Sequence, residues 1–174
     1  MNIEEIKTKL LVAEAMRWIG VKEEGNNAGA LVEMFQKAVD DKAQGESWCM
    51  SFVQFCLKNA TYYYDSLYDA CSRMHNIRQS EHCLTVWNKT PKECRIDTPE
   101  IGSIVIWQHG NTTSGHTGIV VGRKLDSDFF ITVEGNTAAW NGVVREGDGV
   151  YARTRSVKGS GEMKVLGYLL PFRE

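Results

Sequence analysis

The chain has 174 residues, 43% of them hydrophobic and 24% charged, with a formal net charge of -2. That length and composition fit one domain with a real core, and the scattered charge argues against non-specific nucleic-acid binding, which depends on concentrated basic charge. No stretch is long and apolar enough to span a membrane, and the acidic start Asn2-Ile3-Glu4-Glu5 lacks the basic-then-apolar order of a secretory signal, so synthesis and folding in a cytosol without a signal peptide are expected.

Asn2 with Glu5 three residues later reads as a helix cap, and Ile3, Ile6, Leu10, Leu11, Ala13 and Met16 recur at helical spacing. The helix should end near Gly20. Two glycines and two asparagines over 24–29 make a turn. A second amphipathic helix follows over 30–39, with Leu31, Met34, Phe35 and Ala38 on its inner side. After a polar loop, Ser47 is a suitable N-cap for a helix with Cys49, Phe52, Val53, Cys56 and Leu57 on one face. Over 58–95 helical and loop patterns compete, and this stretch reads as a variable insert. Beyond Pro99 the pattern changes to strands over 101–107, 116–122, 129–136, 150–155 and 164–170, separated by Gly, Asn and Asp clusters. Helices first and strands second predict an α+β fold in which N-terminal helices pack on a C-terminal antiparallel sheet, with residues 1–174 as a single catalytic domain.

Five cysteines, Cys49, Cys56, Cys71, Cys83 and Cys94, form no CxxC pair and are odd in number. Without a signal peptide a disulfide framework is not expected, and one reactive thiol among inert ones is the simplest account. Cys49 stands at a helix start, where the helix end and a nearby imidazolium can lower a thiol pKa. The competing reading is a buried core cysteine. His116 heads an apolar strand in Gly115-His116-Thr117-Gly118-Ile119-Val120, a rigid and accessible place for a general base. His75, His82 and His109 lie in less ordered contexts. In the strand over 129–136, alternation sends Phe129, Ile131 and Val133 into the core and Phe130, Thr132, Glu134 and Asn136 to the other face. Glu134 and Asn136 thus emerge together, where a neighbouring strand can bring His116 beside either. Such a partner fixes the tautomer of the base and steadies its cation. Taken singly, Glu134 also fits a solvated strand end and Asn136 a turn.

Ser47-Trp48-Cys49-Met50-Ser51-Phe52-Val53, Gly102-Ser103-Ile104-Val105-Ile106-Trp107, Gly115-His116-Thr117-Gly118-Ile119-Val120 and Val133-Glu134-Gly135-Asn136-Thr137 resemble, in order, four blocks of the CHAP family, the cysteine, histidine-dependent amidohydrolases/peptidases. The 25–29 and 147–151 stretches resemble segments of phage and bacterial members. The resemblance covers most of the chain outside 58–95. It implies a papain-like cysteine peptidase fold, Cys49 as nucleophile, His116 as base, Glu134 as the group orienting His116 and Asn136 as a polar helper. Backbone N–H groups at the start of the Cys49 helix would supply part of an oxyanion hole.

The resemblance further implies cleavage of peptidoglycan amide bonds, between muramic acid and L-alanine or within the stem peptide. Met50 departs from the small residue usual in the family, which is expected to narrow the cleft beside the thiol and makes substrate preference less transferable. Peptidoglycan is then the substrate partner, with an immunity protein or delivery machinery as protein partners, and the place of action is the bacterial cell wall or periplasm after release or injection. A thiol peptidase or deamidase acting on a protein, and a non-catalytic phage-tail or binding module, are the alternatives. No cofactor is expected. Some members bind calcium before the cysteine, but the spacing of Asp40, Asp41 and Glu46 makes no convincing oxygen cage. Cys71, His75, His82, Cys83 and Cys94 offer zinc-type donors but match no standard spacing, so no metal is predicted.

Overall fold

The computed structural model of the chain describes residues 2–68, 75–139 and 147–173. Helices α1 (Ile3–Arg17), α2 (Ala30–Asp40), α3 (Cys49–Tyr68) and α4 (Cys83–Lys89) precede a short 3-10 turn and strands β1 (Arg95–Ile96), β2 (Ile104–His109), β3 (Gly115–Arg123), β4 (Phe129–Thr137), β5 (Gly149–Ser156) and β6 (Met163–Leu169). The strands form one sheet in the order β1-β6-β2-β3-β4-β5, with every pairing antiparallel. Helix α3 lies against β3 and β4, and α1 and α2 pack on α3. No helix among the described residues is long and apolar enough to cross a membrane.

The expected capping box is present: Glu5 N–H donates to Asn2 Oδ1 at 2.8 Å and Asn2 N–H to Glu5 Oε2 at 3.1 Å. The buried face of α1 is not the expected apolar stripe. Lys7, Leu11, Glu14 and Ala15 are buried, while Ile3 and Met16 are exposed. The two charged residues have partners inside, which lowers the cost of burying them. Glu14 Oε1 accepts from Trp18 Nε1 at 2.9 Å and from Asn59 Nδ2 at 2.7 Å, and the Lys7 ammonium lies over the Tyr64 ring, 4.9 Å from its centroid.

Helix α2 turns Phe35, Met34 and Ala38 to the core as expected, with one departure and one polar addition. Val32, Phe35 and Gln36 are buried, and Leu31 is exposed. Gln36 faces inward because its amide donates to the carbonyls of Asn27, at 3.2 Å, and Glu46, at 2.8 Å. That fastens the loop leading to Cys49. Helix α3 begins one residue beyond the expected cap: the carbonyl that accepts its first bond, from Phe52 N–H at 2.9 Å, belongs to Trp48 and not to Ser47. From Cys49 to Leu57 every side chain is buried.

The two faces of the sheet carry separate cores. Ile104, Ile106, Ile119, Val133 and Leu169 meet the helices. Val105, Trp107, Val120, Phe130, Met163 and Tyr168 cluster on the opposite face. There the rings of Phe130 and Tyr168 lie 5.5 Å apart, although β4 and β6 are separated by β2 and β3. A flat sheet would hold those strands about 14 Å apart. The sheet therefore curls around Trp107. The expected burial along β4 is corrected, although its facing is not. Phe130 is fully buried, whereas Phe129 and Ile131 are exposed. They share the face of Val133 but precede the part of the strand that the helices cover.

Candidate active site

Cys49 occupies the first turn of α3. The N–H groups of that turn have no intrahelical acceptor, which leaves the positive end of the helix at the thiol. The helix start is seated on β4 at Gly135. A Cβ there would stand 2.7 Å from Phe52 Cβ and 2.8 Å from Trp48 Cζ3, so only glycine permits this approach. Trp48 is held in turn by its Nε1–H bond to Glu23 Oε1 at 2.7 Å and by stacking on Phe35 with ring centroids 5.6 Å apart.

His116 stands at the head of β3, opposite Trp107 of β2. Their rings stack with centroids 5.7 Å apart and planes 22° from parallel. His116 Nε2 is 2.8 Å from Glu134 Oε2, which leaves Nδ1 as the ring nitrogen available to the thiol. Room for the Glu134 side chain comes from Gly118, where a Cβ would lie 2.6 Å from Glu134 Cγ. The glycine two residues after the histidine thus lets the carboxylate cross β3 to the imidazole.

Glu134 is wholly buried and its carboxylate is saturated. Arg155 of β5 forks onto it, Nε to Oε1 at 2.7 Å and Nη2 to Oε2 at 2.5 Å. Thr132 Oγ1 donates to Oε1 at 2.5 Å. The Arg155 guanidinium also lies over Trp107, 5.3 Å from the ring centroid. These donors explain the charge state. Burial opposes ionisation of Glu134, but Arg155 and His116 outweigh it and hold the carboxyl well below its usual range. Burial likewise opposes the His116 cation, and the hydrogen bonds and charges of Cys49 and Glu134 overcome it, pushing the imidazole up to about 9.

The Cys49 thiol is held well below its ordinary value by its hydrogen bond with Cys83, against burial, with further help from His116 and the Met50 N–H. Its Sγ lies 3.7 Å from Cys83 Sγ. The arrangement can therefore rest as a thiolate beside an imidazolium. The other described thiols are pushed upward: Cys56 and Cys94 chiefly by burial, and Cys83 chiefly by its hydrogen bond with Cys49. Burial pushes His75 down to about 4, and His82 is exposed beside Glu81.

Cys49, His116 and Glu134 are thus brought together. Asn136 stands apart from the hydrogen-bonded chain. It has φ +49° at the irregularity between Glu134 and Thr137 in the β4–β5 ladder, and its buried Oδ1 has no hydrogen-bond partner among the described residues. Of the zinc-type donors, Cys83 joins the site, His75 and Cys94 line a separate cavity with Lys7 and Phe172, and Cys71 lies outside the described residues. No group of three His, Cys, Asp or Glu among the described residues is arranged to hold a metal ion. Arg155, Thr132 and Cys83 are the site-forming residues that sequence reasoning did not single out as such. Period-2 alternation on β5 could have placed Arg153 and Arg155 on one face, but the register to β4 that brings Arg155 to Glu134 is not readable from one strand.

Helices seated on an antiparallel sheet, with a cysteine at a helix start and a histidine on a strand, define a papain-like α+β hydrolase. The family model described as CHAP domain matches residues 41–136, more than half of the chain, and the chain belongs to the CHAP family of amidase- and peptidase-type hydrolases. No curated protein matches the chain. No solved structure matches it either.

Proposed function

We propose that the protein hydrolyses amide bonds of peptidoglycan, at the N-acetylmuramoyl-L-alanine bond or within the stem peptide, with Cys49 as nucleophile. The observation that carries this reading is the chain from a helix-start thiol to His116, then across 2.8 Å to a buried, Arg155-held Glu134. That order of nucleophile, base and orienting anion is what acyl transfer needs.

In the mechanism, the Cys49 thiolate attacks the amide carbonyl carbon. The oxyanion that forms is met by backbone N–H groups of the first turn of α3. The C–N bond then breaks as His116 gives its proton to the departing amine, leaving a thioester on Cys49. Neutral His116 takes a proton from water, the hydroxide adds to the thioester carbonyl, and collapse expels the thiolate and the carboxylic acid. His116 ends protonated, as it began. Glu134 holds the ring and offsets its charge throughout, and Asn136 supplies a polar wall to the site. The place of action on this reading is the bacterial cell wall.

Digestion of purified sacculi, read by mass spectrometry, tests it. Wild type releases muropeptides whose new termini identify the bond, and Cys49→Ala, folded as judged by circular dichroism, loses roughly 10⁴-fold or more of the rate. Intact sacculi from several wall types, or full activity in Cys49→Ala, would overturn the reading.

A further inference from the structure

The second thiol at Cys49 has no part in a three-residue mechanism, yet the fold positions it with care. Cys83 is the first residue of α4, and α4 packs against β2 and β3. Gly115, immediately before His116, is the point of closest approach. A Cβ at Gly115 would stand 3.0 Å from Cys83 Cβ and 2.6 Å from the Trp107 carbonyl oxygen. The residue preceding the base is thus shaped to admit Cys83, and the two sulfurs come within 3.7 Å, both buried.

We propose that Cys83 is a further catalytic group, whose S–H donates a hydrogen bond to the Cys49 thiolate. The inference rests on the reading of Cys49 as nucleophile. The surroundings fix the direction of the bond. His116 of β3 lies at Cys49, with Glu134 of β4 and Arg155 of β5 behind it, and the Met50 N–H faces Cys49 from its own helix. The positive charge that favours a thiolate therefore acts on Cys49. Cys83, pushed well above the ordinary thiol value by its hydrogen bond with Cys49 and by burial, keeps the hydrogen to donate. An S–H is a weak donor, but it is directed at the reacting atom from a different element than the imidazolium. Its effect is to keep Cys49 ionised at lower pH while making the thiolate less basic and so less nucleophilic.

Those two consequences oppose each other, and a merely structural role for Cys83 would produce neither. The test is the pH dependence of Cys49 alkylation by iodoacetamide, with the modified residue mapped by mass spectrometry, in wild type, Cys83→Ala and Cys83→Ser. Cys49 and His116 titrate as a pair, but only the thiolate is alkylated, so the acid limb follows loss of the Cys49 thiolate. In Cys83→Ala the limb moves to higher pH and the profile crosses that of wild type. For a displacement of about one pH unit the rate falls about threefold below the limb and rises about threefold on the plateau. Cys83→Ser, which keeps a donor, stays near the wild-type limb.

An unchanged limb in a folded Cys83→Ala would overturn the proposal. So would alkylation of Cys83 ahead of Cys49 in wild type. If Cys83→Ala does not fold, Cys83→Ser decides, because a limb displaced upward there contradicts a donor role. Sacculus hydrolysis by Cys49→Ala fails or succeeds independently of this profile, so loss of the functional reading and loss of the Cys83 proposal are separable.

Discussion

The two faces of the sheet bury side chains for different ends. The helix-facing side is built from Ile104, Ile106, Ile119, Val133 and Leu169, all fully buried, and its apolar contacts need no direction. The concave side around Trp107 buries Glu134, His116 and most of Arg155 between aromatic rings. Taking such charges out of water costs several kcal/mol per ion and is repaid only by well-aligned partners. Apolar residues of similar volume would serve stability as well or better. The charged face is therefore explained by chemistry and the apolar face by folding. Alternation along β4 carries both, with Val133 on one side and Glu134 on the other.

Breaking the charged face should have the largest effect. Glu134→Gln keeps the shape of the side chain but loses the anion that holds His116. Steady-state assays should show kcat reduced by roughly 10²–10⁴-fold. Stability falls as well, since Arg155 is left without its counter-charge. The double variant Glu134→Gln/Arg155→Met should recover much of that lost stability and none of the activity. Recovery of activity in the double variant would contradict the division between the faces.

Leu169→Ala addresses the other face, on β6 and away from the thiol. Removing a fully buried leucine should cost about 2–5 kcal/mol in denaturant unfolding. The turnover of the folded fraction should stay within about twofold of wild type. A large loss of turnover at full folding would show that the helix-facing core also sets the geometry of the site.

The sequence makes these two faces legible to different degrees. Five strands fall within three residues of their expected bounds, because Gly, Asn and Asp clusters separate them and apolar runs mark them. The two-residue β1 is too short for any period to show. Cys49, His116 and Glu134 are readable because each sits at a locally distinctive place: a helix start, a strand head and a strand end. Arg155 and Cys83 are not, since each reaches the site through pairing register or helix docking, which are tertiary facts. The same limit explains Phe129 and Ile131. Alternation gives their face correctly, but how far the helices extend over that face is decided by packing. The inward Lys7, Glu14 and Gln36 escape an apolar-stripe reading because their burial depends on partners distant in sequence.

The smallest expected effect concerns pH, and it separates the contributions of the two anions at His116. The imidazole is raised from an ordinary value of 6.5 to about 9. Its stabilising effect is thus fully present below about pH 6.5 and is lost as pH rises through about 9. Cys49 is shifted the other way, so its contribution is present above the ordinary thiol value and is lost as pH falls through its lowered one. The two titrate as a pair, and the basic limb of sacculus hydrolysis should therefore fall near pH 9, as His116 loses the proton owed to the leaving amine. Glu134 remains when the thiolate is removed. In Cys49→Ala an NMR titration of the His116 ring should show a midpoint below about 9 and still above 6.5, because the hydrogen bond and charge of the thiolate are gone while those of Glu134 persist. A midpoint unchanged from wild type would mean that Glu134 alone holds the cation. One at or below 6.5 would mean that burial outweighs the carboxylate and that the thiolate is the anion sustaining the imidazolium.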